Sequence, residues 1–202
     1  YQNHYWPAKY FIDKDGVVRY THFGEGAYDE SERVIQQLLE EAGAESVSQA
    51  IENPTYQNYA RTPEIYLGYE RIKNFASPER ITRNQAALYT APTRLPRNGV
   101  AYSGEWSVMG EYAHPKKGAV LEMDFEAKEV FLVMRPMLGE AQIKVLIDGK
   151  EQSLGEDVVQ EGKVVVDSDR LYKLILLENP GHHLLKLEFL DDNAELYAFT
   201  FG

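Results

Sequence analysis

The 202-residue chain has no cysteine, and that absence removes more chemistry than any motif adds. Without a thiolate there is no disulfide, no Cys-ligated zinc or iron–sulfur cluster and no thiol nucleophile. Positive charge is scarce as well: 21 Lys and Arg stand against 32 Asp and Glu, a formal charge of −11. This argues against nucleic acid as a partner, because clustered cations are needed to displace its counterions. An anionic membrane surface is disfavoured on the same ground. No apolar run approaches the ~20 residues of a membrane span, and no secretory leader is recognisable. A Gly-rich phosphate loop, a G-x-S-x-G elbow and an H-E-x-x-H helix are all missing, which speaks against a hydrolase. The chain opens at Tyr1 rather than Met, as a mature or excised piece would.

What is present is ample for a core, with 44% hydrophobic and 12% aromatic residues. The first forty-odd residues predict strand, strand, helix. KYFID at 9–13 and VVRYTHF at 17–23 flank an Asp15-Gly16 turn, a hairpin signal. Asp29 followed by Glu32 predicts a helix N-cap, with Val34, Ile35, Leu38, Leu39 and Ala42 on one face and Gly43 as the stop. Residues 44–62 and 85–96 read as irregular connections, rich in Pro, Asn and Thr.

Beyond Val100 the pattern is β. Ala119, Leu121, Met123, Phe125 and Ala127 alternate with charged residues. Residues 130–134 are continuously apolar, which predicts a strand covered on both faces. Ala141, Ile143, Val145 and Ile147 alternate, as do Leu185, Leu187 and Phe189, and Tyr197, Phe199 and Phe201 point one way from a last strand. About seven short strands with regular turns predict an antiparallel β-sandwich, jelly-roll-like.

Two segments resemble a known family. Residues 3–13 (NHYWPAKYFID), with Gly16 and HFGEG at 22–26, resemble the second half of a thioredoxin-like domain. TPEIYLG at 62–68 and the closing AFTFG at 198–202 resemble the β-sandwich, similar to carbohydrate-binding modules, that ends the extracytoplasmic part of the DipZ family. The resemblance implies a partial ββα thioredoxin-like unit at 1–43, a connector at 44–62 and a sandwich at 63–202. It also implies a parent that is a thiol–disulfide oxidoreductase linked to cytochrome c biogenesis, lying outside the cytoplasm and fed by a membrane electron donor. Pro7, after Trp6, matches the family's cis-proline beside the Cys-x-x-Cys site; an ordinary trans proline opening a strand is the alternative. The dithiol itself has no counterpart here, so this chain is expected to be non-catalytic, binding cell-wall glycan or a client protein. The rival reading makes it the wall of the parent's substrate groove, and the blandest makes the sandwich a structural cap.

For sugar binding the candidates are Tyr102, Trp106 and Tyr112, because sugar rings stack their C–H faces on aromatic side chains. They share strand parity if no bulge intervenes, but Val108 shares it too and favours an inward face with Trp106 in the core. No metal or other cofactor is predicted. His182 and His183 are adjacent on a strand and so face opposite ways, and His4, His22 and His114 have no ligand spacing. Glu122, Asp124 and Glu126 read as a solvated strand face. Asp167, Asp169 and Arg170 read as a locally paired turn. An orphaned hairpin with Tyr10, Phe11, Ile12, Val17, Tyr20 and Phe23 predicts docking or pairing, including a homodimer.

Overall fold

The computed structural model describes Asn3 and residues 7–23, 27–44 and 60–202, and separates the chain into two units, 1–58 and 59–202. Trp6 and most of the expected 44–62 connector lie outside the described residues.

In the first unit, β1 (Ala8–Ile12) and β2 (Val18–Phe23) form an antiparallel hairpin and α1 spans Tyr28–Glu41. The turn is closed by Asp13, whose carboxylate accepts the Asp15 and Val17 amides at 3.0 and 2.9 Å. The Val17 amide above all, with Arg19 beside it, holds that carboxyl below the usual range. Arg19 also reaches Glu41 at 2.7 Å and so ties β2 to the end of α1. The helix does not start on Asp29. Ala27, in a left-handed conformation (φ 50°), precedes Tyr28 without a side-chain cap, and Asp29 falls in the first turn, where its charge suits the helix dipole. Tertiary cover is thin. Ser31 is the only buried residue among those described, and Val17 and Phe23 are 55% and 44% exposed.

The second unit is an antiparallel β-sandwich. Its strands are β3 (Ile65–Tyr66), β4 (Ala86–Tyr89), β5 (Val100–Val108), β6 (Ala113–Pro115), β7 (Val120–Pro136), β8 (Ala141–Ile147), β9 (Val158–Val159), β10 (Lys163–Val166), β11 (Arg170–Phe189) and β12 (Ala194–Phe201). Two long strands serve both layers. The first half of β7 pairs with β5 and with residues 181–188 of β11, while its second half pairs with β12 and with residues 170–176. The larger layer is therefore β4-β5-β7-β11-β8-β10-β9 and the smaller β3-β12-β7-β11, with β6 bridging β5 and β12.

The corner lies where the β7–β11 register slips between Leu176 and Gly181. The sequence reads Asn179-Pro180-Gly181 as a turn, but the chain carries it as a bulge inside one strand. Proline has no amide to donate to a ladder, so a bulge is where a strand accommodates it. A second difference is β4, which falls inside the stretch expected to be irregular and pairs with residues 104–107 of β5.

Between the layers lies one continuous core. Leu121, Met123, Phe125, Val130, Leu132 and Met134 of β7 are fully buried, as the alternation predicts. The run at 130–134 is not covered on both faces, however. Val130, Leu132 and Met134 point inward, while Phe131 and Val133 stay half-exposed on the outer side of the smaller layer. That outer face concentrates the side chains considered next.

Candidate ligand-binding face

The three aromatics expected as a sugar platform are not brought together. Tyr102 and Trp106 are 0% exposed and stack on each other, centroids 4.2 Å apart, with Phe189 edge-on to Trp106 at 5.2 Å. Their polar atoms are satisfied inside: the Tyr102 hydroxyl donates to the Leu67 carbonyl at 2.9 Å and the Trp106 indole to Ser103 at 3.0 Å. Burial and the closeness of its neighbour Tyr89 push the Tyr102 hydroxyl far above an ordinary tyrosine. No sugar can reach either ring. Parity fails for Tyr112 because β5 ends at Val108, and the turn closed by Met109 N–H donating to Tyr112 C=O (2.8 Å) carries that ring elsewhere.

Tyr112 instead joins a face that the alternation had hidden. A register shift between Leu196 and Ala198 puts a bulge at Tyr197. Leu196 and Phe199, three residues apart, then both point into the core, and Tyr197 turns outward, away from Phe199 and Phe201. The rings of Tyr112 and Tyr197 sit 5.5 Å apart, tilted by 42°.

Beneath them lies Glu195, 4% exposed. Its carboxylate accepts the Tyr197 hydroxyl at 2.8 Å and Arg135 Nε at 2.5 Å. Burial, and then Glu195, raise the hydroxyls of both tyrosines, so they remain donors throughout the physiological range. A buried carboxylate held by a hydroxyl and a guanidinium fixes the Tyr197 ring, against which Tyr112 packs.

The ladder register extends the face across all four strands of the smaller layer. Leu171 of β11, Val133 of β7, Ala198 of β12 and Tyr66 of β3 are successive partners in one row, and Lys173, Phe131 and Thr200 make the row beside it. Tyr66 and Phe131 each carry a cation: Arg71 lies 3.4 Å from the Tyr66 centroid and Lys173 5.3 Å from that of Phe131. Burial, with a hydrogen bond to Glu64, pushes the Tyr66 hydroxyl up to about 12. The face thus combines half-covered aromatic and aliphatic surface with anchored hydroxyl, guanidinium and ammonium groups, the composition that holds a polar ligand with apolar faces.

The remaining expectations are placed as follows. Pro7 is half-buried immediately before β1. His182 and His183 face apart as expected, each on its own carboxylate: His182 on Asp124 at 2.8 Å, His183 on Asp148 at 2.6 Å. Among the described residues no three His, Asp or Glu side chains gather as a metal site. Asp124 departs from the solvated-face reading, being 8% exposed and accepting the Asn98 amide at 2.9 Å. Arg170 is paired locally, with Asp157 at 2.7 Å and Asp167 at 3.5 Å.

Residues 62–202 match the family described as "Thioredoxin like C-terminal domain". Two curated proteins, each named Protein DipZ, from Mycobacterium bovis and Mycobacterium tuberculosis, are 30% identical over 207 residues, covering 100% of this chain and 28% of theirs. The chain therefore spans little more than a quarter of those relatives. Among solved structures, a family two carbohydrate esterase from Clostridium thermocellum in complex with cellohexaose is similar at TM-score 0.37 and 19% identity, over 46% of this chain and 27% of that one. A carbohydrate-binding module, CBM36, in complex with calcium and xylotriose is similar at TM-score 0.33 and 12% identity, over 69% and 99%.

Proposed function

The chain belongs to the family of thioredoxin-like C-terminal domains, and from that premise we propose that it is the non-catalytic binding module of an extracytoplasmic thiol–disulfide oxidoreductase linked to cytochrome c biogenesis. The observation that carries this reading is a chain related along its whole length to DipZ proteins yet holding no cysteine. Disulfide exchange proceeds through thiolate attack, so residues 1–202 contribute recognition, and the dithiol and its membrane electron donor belong to the rest of such a protein.

The ligand is cell-wall glycan, held on the outer face of the smaller layer by Tyr112, Tyr197, Phe131 and Tyr66. Pyranose C–H faces suit the half-exposed rings, and the hydroxyl groups around a sugar suit Arg135, Thr200 and the tyrosine hydroxyls. Binding of this kind would hold the redox centre near its clients.

The test uses the longer relative with and without the segment equivalent to residues 62–202. Reduction of a small soluble disulfide should be unchanged by the deletion, while retention on insoluble cell-wall polysaccharide should be lost. The present chain in an insulin-reduction assay with dithiothreitol should match the protein-free control. Turnover above that control, or full retention after the deletion, overturns the proposal.

A further inference from the structure

Charge on the second unit is unevenly spread. Residues 60–98 hold seven Lys and Arg against three Glu, in a chain whose overall charge is −11. Of these cations Arg61 and Arg97 are committed to Glu126, at 3.5 and 3.1 Å. Arg71 and Arg83 are different. Both are exposed, and each lies over a tyrosine ring, Arg71 on Tyr66 at 3.4 Å and Arg83 on Tyr69 at 5.0 Å. Neither has a carboxylate oxygen within 4.0 Å among the described residues.

The segments that carry both arginines dock on the end of β5 and the turn that follows it. The amides of Tyr69 and Glu70 donate to the carbonyls of Met109 and Gly110 at 2.8 and 3.0 Å, and the Asn84 amide donates to Val108 at 2.9 Å. Gly68 lies so close to Gly110 and Glu111 that a Cβ would collide with their backbone. Asn84 takes a left-handed conformation (φ 57°), which asparagine tolerates, and its side-chain amide donates to the Tyr69 hydroxyl at 3.2 Å. The same turn delivers Tyr112 to the aromatic face. Arg71 thus lies on Tyr66 of that face, and Arg83 on Tyr69, in a segment docked to the turn that carries Tyr112, neither with a carboxylate partner among the described residues.

A guanidinium lying over a ring keeps its N–H donors at its edge, in a fork that matches a carboxylate. We infer that Arg71 and Arg83 form an acid-recognising subsite of the face, and that the polysaccharide it takes carries carboxylates, as uronic acid units do. This rests on the binding role proposed above and narrows it. A glycan is favoured over an acidic protein by the surroundings. Between residues 60 and 85, the stretch that carries both arginines, no large aliphatic side chain is exposed, although Leu171 on the face itself is 45% exposed. The exposed neighbours Asn74, Thr82, Asn84 and Gln85 offer the amide and hydroxyl groups that sugar hydroxyls pair with.

The test is calorimetric titration of the full chain with polygalacturonate, using its methyl ester as the uncharged twin and polyglutamate as an acidic peptide. The acid should bind at least about tenfold more tightly than the ester, with the advantage shrinking as salt rises. Arg71→Gln combined with Arg83→Gln should erase the difference, and the corresponding Lys variants should recover only part of it, because an ammonium lacks the fork. Both positions are exposed, so circular dichroism of the variants should match the parent chain. Equal binding of acid and ester, or a preference surviving the double Gln variant, overturns the inference. So does competition by polyglutamate as strong as that by polygalacturonate. Equal binding that Tyr197→Ala abolishes would sink the inference and leave the glycan reading standing; binding of neither polymer sinks the inference, and retention on cell-wall polysaccharide then decides the glycan reading.

Discussion

The two units show what burial does to similar raw material. Both contain aromatic and β-branched strand residues in alternating patterns. In the sandwich, two layers face each other, and the inward members of the long strands vanish from solvent. In the ββα unit, the rings of Phe11 and Tyr20 pair at 5.5 Å and those of Tyr10 and Phe23 at 6.0 Å, yet among the described residues no large apolar side chain is buried. Local pairing makes a hairpin, but only a second layer makes a core. A helix and two strands remove too little surface from water to offset the ordering of their own chain.

That contrast can be broken most directly by hydrogen exchange. Amides in β5, β7 and β11 should open only with global unfolding, whereas those in β1, β2 and α1 should exchange at least about a thousandfold faster. Equal protection would mean that the first unit has cover of its own. If that cover is the hairpin of a second copy, sedimentation will show a dimer that dissociates on dilution.

Substitutions sharpen the same comparison. Trp106→Ala should cost about 3–5 kcal/mol in chemical denaturation, the range for emptying a large aromatic site. A cost near zero would place the ring at the surface. Glu195→Ala should cost about 2 kcal/mol, because it leaves the Tyr197 hydroxyl and its neighbours without their acceptor. Leu39→Ala, at a helix position 40% exposed, should change stability by no more than about 0.5 kcal/mol.

The smallest effect concerns pH. Burial raises the Asp148 carboxyl, but the Leu184 amide and His183 outweigh it and hold the group below the ordinary aspartate range. A carboxyl lowered in the folded state stabilises above its unfolded value, about 3.9, and that contribution is lost as pH falls through the folded value. Asp148→Asn should therefore flatten the acid limb of the stability profile and leave stability near pH 7 slightly reduced. Asparagine tolerates the positive φ at this turn, 50°, so the hairpin itself survives. An unchanged acid limb would show that the pair with His183 contributes nothing.

Alternation made most of the sandwich core legible. Residues 119–127, 141–147 and 185–189 read correctly because a strand facing a core obeys a period of two wherever its register is unbroken. The structure departs from the alternation where that period breaks. Tyr197 alternates with Phe199 and Phe201 in the sequence, but a bulge turns it outward. Tyr112 shares parity with Tyr102 and Trp106, but the strand ends at Val108, before Tyr112. Asn179-Pro180-Gly181 signals a turn by composition and proves to be a corner inside one long strand. The run at 130–134 promised two covered faces, and its outer one is half open. A pair of inward residues spaced by three, Leu196 and Phe199, is the sole trace of the Tyr197 bulge in the sequence.

By itself the sequence determined that this chain has no thiol chemistry, that its second part is an antiparallel β-sandwich, and which alternating residues fill it. These follow from composition and from the two-residue repeat of an extended chain, both of which are local. Only the tertiary structure decided that Tyr102 and Trp106 are core and that Tyr66, Tyr112, Phe131 and Tyr197 share a face. It alone showed that Arg71 and Arg83 lie over tyrosine rings with no carboxylate partner among the described residues. These depend on strand register, on a bulge and on loops docked to a distant turn, and each is set by contacts between residues far apart in the chain.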